Sequence, residues 1–122
     1  MEQRSETRIE RNIGIFVHVH SCQEYPDLVG KSISCEAIDF SPHGVRCKSE
    51  LLLPPGSLVN ITIGIGYPFA MYLLLAEVRW EFEINGELMM GLELLEGKRD
   101  DLKRWVNAFD TIFKEDLNPD SL

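Results

Sequence analysis

Apolar and polar residues alternate with a period of two along most of the chain, and the period changes only near the end. In residues 13–19, Ile13, Ile15, Val17 and Val19 alternate with Gly14, Phe16 and His18, the signature of a half-buried strand. Residues 23–27 contain Pro26 and read as a turn. Residues 31–40, rich in small and β-branched side chains, predict a second strand that ends at Ser41-Pro42-His43-Gly44. Residues 45–48 resume the alternation, with Val45 and Cys47 on one face and Arg46 and Lys48 on the other. After Pro54-Pro55-Gly56, residues 58–65 predict a fourth strand, whose Val59, Ile61 and Ile63 are all β-branched. Residues 69–82 form a long fifth strand in which Ala76, Val78 and Trp80 alternate with Glu77, Arg79 and Glu81. Asn85-Gly86 is a strong hairpin signal, and residues 87–94 place Leu88, Met90, Leu92 and Leu94 on one face of a sixth strand.

The last segment is helical in period. Leu102, Trp105, Val106, Phe109, Ile112 and Phe113 form one apolar stripe. Asp100 and Asp101 fall in its first turn and Lys114 near its end, both favourable to the helix dipole, and Asn118-Pro119 ends the regular structure. The fold class is therefore all-β: a six-stranded antiparallel β-barrel with a C-terminal α-helix packed against it, because closure removes exposed sheet edges. A length of 122 residues suits one domain. Residues 1–12 are expected to form a flexible N-terminal arm, 13–116 the barrel and helix, and 117–122 a tail.

Composition narrows the function. With 44% hydrophobic and 26% charged residues, the chain has the profile of a packed globular protein. Twelve basic and 20 acidic side chains give a net charge of −8, which argues against a grip on duplex nucleic acid, since that affinity comes from many phosphate contacts. An anionic ligand has to be held by a local cluster of positive charge. The longest apolar stretch, residues 67–76, is broken by Pro68 and is about half of the roughly 20 residues a membrane span needs. The N-terminus lacks the apolar core of a secretory signal, so the expected location is cytoplasmic. Three cysteines without a CxxC motif, Cys22, Cys35 and Cys47, read as reduced and partly buried thiols. Strict alternation puts His18, His20 and Cys22 on one strand face, but three ligands without a fourth read as an ordinary outward face, and no metal is expected. No nucleophile triad, Walker loop or catalytic carboxylate pair is present, so the chain does not read as an enzyme.

Two constellations carry candidate chemistry. Arg4 and Arg8 form an RxxxR motif just ahead of the first strand; alone it reads as a solvated segment, with Glu2, Glu6 and Glu10 matching Arg4, Arg8 and Arg11. Asp39, Ser41 and Gly44 form a DxSxxG motif at the turn between the second and third strands; alone it reads as an Asx or Ser turn. Both motifs, in this order within an all-β chain of this length, resemble the PilZ domain, the bacterial receptor for cyclic di-GMP. The resemblance covers nearly the whole chain, and Gly91-Leu92-Glu93-Leu94 looks like the family's late strand.

The resemblance implies that Arg4, Arg8, Asp39, Ser41 and Gly44 bind cyclic di-GMP, with no other cofactor. The chemistry is apt. A guanidinium can pair bidentately with guanine O6 and N7, bind phosphate or stack on the purine, and lysine cannot do all three. Asp39 can accept from guanine N1 and N2, the edge no arginine can read, and Gly44 lets the backbone turn or approach closely. Arg11, and Trp80 or Arg79, are candidate second-tier contacts, against bland readings of Arg11 as a solvated cation and Trp80 as core or rim packing. On this reading ligand orders residues 1–11 against the barrel, and the changed surface engages an unidentified downstream protein in motility, biofilm formation or secretion. The alternative is a PilZ-like adaptor for pilus, flagellar or secretion machinery that does not bind nucleotide. Its usual mark is degenerate motifs, whereas both motifs are intact here. A third reading, turnover by the His18, His20 and Cys22 face, would require a bound metal.

Overall fold

The computed structural model describes residues 8–66, 68–97 and 101–114. Its strands are β1 (Ile9–Ser21), β2 (Ser32–Ser41), β3 (Gly44–Ser49), β4 (Leu58–Ile65), β5 (Ala70–Ile84) and β6 (Glu87–Leu95), followed by helix α1 (Leu102–Ile112). All six strand pairings are antiparallel, and the order β1-β2-β3-β6-β5-β4 closes on itself as a barrel. The β5–β6 hairpin turns at Asn85 and Gly86, both at positive φ (52° and 82°), as a tight two-residue hairpin requires.

Inward positions fill the barrel with branched side chains, among them Ile15, Val17 and Val19 of β1 and Val59, Ile61 and Ile63 of β4. β1 starts at Ile9, so residues 9–12, which the alternation leaves ahead of the first strand, belong to it. Their period is hidden because the β1–β2 register shifts between Glu10 and Ile13. A second shift on β1, between Val19 and Ser21, separates the expected His18, His20 and Cys22 face: both histidines are exposed and Cys22 is buried.

Helix α1 packs its apolar stripe onto inward-facing rings of the barrel. Trp105 lies 6.0 Å from Phe40 of β2 and 5.3 Å from Tyr72 of β5 between ring centroids, and Phe113 lies 5.4 Å from Phe40. The start of the helix also closes a sheet edge. β6 pairs with β5 from Leu75 onward, and ahead of that point the Leu73 N–H donates to Asp101 Oδ2 (2.8 Å) while Asp101 N–H donates to the Leu73 carbonyl (2.9 Å). Arg104 donates to the Met71 carbonyl (2.6 Å) and lies 4.2 Å from the Tyr72 ring centroid. Asp101 thus stands at the N-cap with its carboxylate turned to β5, not within the first turn, and Asp100 lies outside the described residues.

The Leu73 N–H holds the Asp101 carboxyl below its usual range; burial opposes it, and Arg104 assists through a hydrogen bond and its charge. A carboxylate depressed in the folded state adds stability above its unfolded pKa, and that contribution fades as acid protonates it. Asp101→Ala should therefore lower the melting temperature by a few degrees at neutral pH, and the gap to wild type should narrow as pH falls below about 4. Thermal melts between pH 2.5 and 7 check this; a gap that stays constant with pH would show that the charge of Asp101 contributes nothing.

Candidate functional site

Two irregularities in the barrel wall build the site. Cys35 and Ala37 point inward on β2, and strict alternation would send Asp39 into the core with them. The register shift between Ala37 and Asp39 instead gives the inward slot to fully buried Phe40, and sets Asp39 opposite Arg46 of β3 on the outer surface. On β1, inward Ile9 lies opposite Phe40, so Arg8 just ahead of it reaches Asp39 and Ser41 from the other side.

The result is a carboxylate clamped by two guanidinium groups. Arg8 donates from Nε (2.9 Å) and Nη2 (2.5 Å) to Asp39 Oδ1, and from Nη1 to Ser41 Oγ at 3.3 Å. Arg46 Nε lies 3.0 Å from Asp39 Oδ1 and 2.8 Å from Oδ2. Asp39 is only 8% exposed, whereas the Arg8 and Arg46 side chains keep 34% and 40% of their surface in solvent. The carboxylate is therefore positioned by its partners, and each guanidinium retains donors that face outward.

Beside this clamp opens a cavity of about 390 Å³ whose walls include Arg8, Ser41, Gly44, Arg46, Arg79 and Trp80. Three arginines on one cavity are a local positive field in a chain of net charge −8. Arg79 is partly balanced by Glu93 at 2.9 Å. Gly44 has no positive φ, so its contribution is space: a Cβ there would stand 3.1 Å from Ser41 Oγ and 3.5 Å from Arg8 Nη1.

Trp80 departs from the parity reading. The register shift between Val78 and Trp80 leaves Val78 in the core and turns Trp80 outward, opposite Gly91. Its indole lies over that glycine so closely that a Cβ on Gly91 would fall 2.1 Å from Trp80 Cε2, and the ring stacks on Phe82 at 4.8 Å between centroids. The ring is thus a half-exposed aromatic wall of the cavity.

Of the residues singled out from sequence, Arg8, Asp39, Ser41 and Gly44 come together, and Trp80 lines the cavity beside them. Arg4 lies outside the described residues. Arg11 is directed to the helix end, 5.9 Å from the Phe113 ring centroid. Arg46 is the residue that sequence reasoning missed. Its outward parity was legible, but its pairing with Asp39 depends on the β2 irregularity. His18 Nδ1 lies 3.1 Å from Ser32 Oγ, and no cluster of three metal-ligating side chains occurs among the described residues. No helix among them is long and apolar enough to cross a membrane.

A family model described as "PilZ domain" matches residues 2–108. No curated protein sequence matches the chain. Among solved structures, the Bacillus subtilis inhibitor of motility (MotI/DgrA) is similar with a TM-score of 0.67 at 15% identity, over 88% of this chain and 49% of that one, so the chain spans about half its length. The PilZ domain of YcgR from Escherichia coli, solved with c-di-GMP, is similar with a TM-score of 0.64 at 14% identity over 98% of both chains. At these identities the two likenesses establish the barrel-and-helix fold.

Proposed function

The chain belongs to the PilZ domain family, and from that membership together with the arginine-lined cavity we propose that it is a receptor for cyclic di-GMP. One observation carries the proposal: Arg8, Asp39, Ser41 and Arg46 are joined in one hydrogen-bonded cluster, and three of them, Arg8, Ser41 and Arg46, line a cavity together with Arg79 and Trp80. A dianionic bis-guanine ligand needs phosphate partners, base-edge donors, a base-edge acceptor and stacking surface. The cluster offers all four. Arg8, joined by Arg4, binds phosphate or guanine O6 and N7. Asp39 accepts from guanine N1 and N2, Ser41 adds a short hydroxyl, and Gly44 keeps the approach open. Trp80 supplies a ring face.

Binding exchanges partners at Asp39, whose oxygens must turn from guanidinium donors to guanine. Arg8 is released to the ligand, the segment ahead of β1 is held differently, and the new surface engages a downstream protein. Such a protein serves as a binding module and performs no catalysis. The second reading, a nucleotide-free adaptor, is favoured by one observation: both oxygens of Asp39 are already within hydrogen-bonding reach of donors from this chain.

Calorimetric titration with cyclic di-GMP, with GTP and cyclic di-AMP as controls, separates the two. Saturable heat is expected for cyclic di-GMP alone, weakening as salt is raised because the attraction comes from local charge. Arg8→Ala should weaken binding by about tenfold, in line with loss of a charge-assisted pair. No heat with wild type, and an unchanged melting temperature, would establish the adaptor reading instead.

A further inference from the structure

Away from the arginine cluster, β2 and β3 bring two thiols together. Cys35 and Cys47 both face inward, Cys47 fully buried and Cys35 6% exposed. Ala37 lies opposite Cys47, which makes Cys35 the diagonal neighbour of Cys47 across the strand pair, while the Cys35 thiol points to the Ile33 carbonyl at 3.9 Å. The neighbouring Cys47 thiol lowers Cys35 to about 7; burial opposes it, and Ser49 assists. Cys35, with burial, drives Cys47 up. The pair is chemically unequal: Cys35 is the more acidic and the more accessible thiol, and Cys47 holds its proton.

Cys35 also has access. It lines a cavity of about 590 Å³ with Ser49, Glu36, Lys48, Glu50 and Glu87, and Lys48 is engaged with Glu87 at 3.2 Å. Three carboxylates against one ammonium disfavour an anionic oxidant such as glutathione disulfide and admit a small neutral one. We propose that Cys35 and Cys47 form a dithiol that reacts with hydrogen peroxide, Cys35 as the attacking sulfur and Cys47 as the resolving one, closing a reversible cross-strand disulfide between β2 and β3.

The steps balance. The Cys35 thiolate attacks one peroxide oxygen, the O–O bond breaks, and a sulfenic acid and hydroxide result. Cys47, losing its proton to that hydroxide, attacks the sulfenic sulfur; the S–O bond breaks and the departing hydroxide is protonated to water. Two thiols thus lose two protons and two electrons, and peroxide becomes two waters. Diagonal neighbours in an antiparallel pair have Cα atoms about 7–8 Å apart, beyond the roughly 4.4–6.8 Å that disulfides prefer. Closure therefore draws the strands together, and the strain makes the bond readily reducible. Cys35 precedes Asp39 on β2 and Cys47 follows Arg46 on β3, so the cross-link spans the hairpin that carries the arginine clamp.

Wild-type protein treated with a few equivalents of hydrogen peroxide at pH 7 is the test, read by non-reducing peptide mass mapping and needing no variant. A Cys35–Cys47-linked peptide, lost on reduction with dithiothreitol, is expected. Cys47→Ser should stop at a Cys35 sulfenic acid that dimedone traps, and Cys35→Ser should yield neither product. Buried Cys22 serves as the internal control. Dimedone labelling of Cys22 or Cys47 as fast as Cys35, or no linked peptide under conditions that oxidise free cysteine, would overturn the proposal.

Discussion

Asp39→Ala is expected to weaken cyclic di-GMP binding by about a hundredfold or more, since two effects coincide. The first is loss of the carboxylate that Arg8 and Arg46 share, and with it the acceptor for a guanine N1–H and N2–H edge. The second is loss of preorganisation. Arg8 reaches across from β1 and Arg46 from β3 to the same carboxylate, so its removal lets both guanidinium groups swing into solvent. Stability should change less than the buried position of Asp39 suggests. The two arginines left behind are more than one-third exposed and rehydrate readily, so a loss of about 1 kcal/mol is expected. Asp39→Asn separates the two effects: it keeps one acceptor oxygen for the base edge but loses the charge that gathers the arginines, and its affinity should fall between wild type and Asp39→Ala. Calorimetry on the three proteins, paired with thermal melts, measures both quantities. Wild-type affinity in Asp39→Ala would remove Asp39 from the site and leave the arginines to bind phosphate alone.

The same residue shows what the sequence makes legible. Where alternation runs unbroken, strand assignment from sequence succeeds: β4 occupies residues 58–65 as read, because Val59, Ile61 and Ile63 all face inward and nothing interrupts them. The helix is equally plain, its stripe of Trp105, Phe109 and Phe113 lying in the core. The motifs marked Arg8, Asp39, Ser41 and Gly44 before any geometry was known. The sequence pattern does not announce a one-residue irregularity. Each such shift reverses the facing of every side chain beyond it. The one after Ala37 turns Asp39 outward and pairs it with Arg46, the one after Val78 makes Trp80 a cavity wall, and the one after Val19 separates Cys22 from His18 and His20. Two of the four shifts, those at Asp39 and Trp80, lie beside groups central to the proposed site, which accords with the tendency of bulges to re-aim functional side chains.

Trp105→Ala is expected to give the largest loss of stability of any single substitution considered, about 3–5 kcal/mol. Trp105 is fully buried and makes ring contacts with Phe40, Tyr72, Phe109 and Phe113, so truncation leaves a cavity where α1 meets the barrel. Yet its Nε1–H is buried with no hydrogen-bond partner among the described residues, a cost that phenylalanine does not carry. Trp105→Phe should therefore cost well under half of the alanine variant, since the lost volume is offset in part by removal of that orphan donor. Denaturant unfolding followed by circular dichroism compares the three proteins; equal losses for the two variants, which differ in the volume they remove, would mean that packing volume does not decide the outcome. Phe40, the ring on which Trp105 rests, stands between Asp39 and Ser41 in β2, so the alanine cavity should also loosen the ligand cluster and weaken binding. Trp105→Phe should leave affinity unchanged. Because the chain has only two tryptophans, that variant also isolates Trp80, whose fluorescence should respond directly to a guanine entering the cavity it lines.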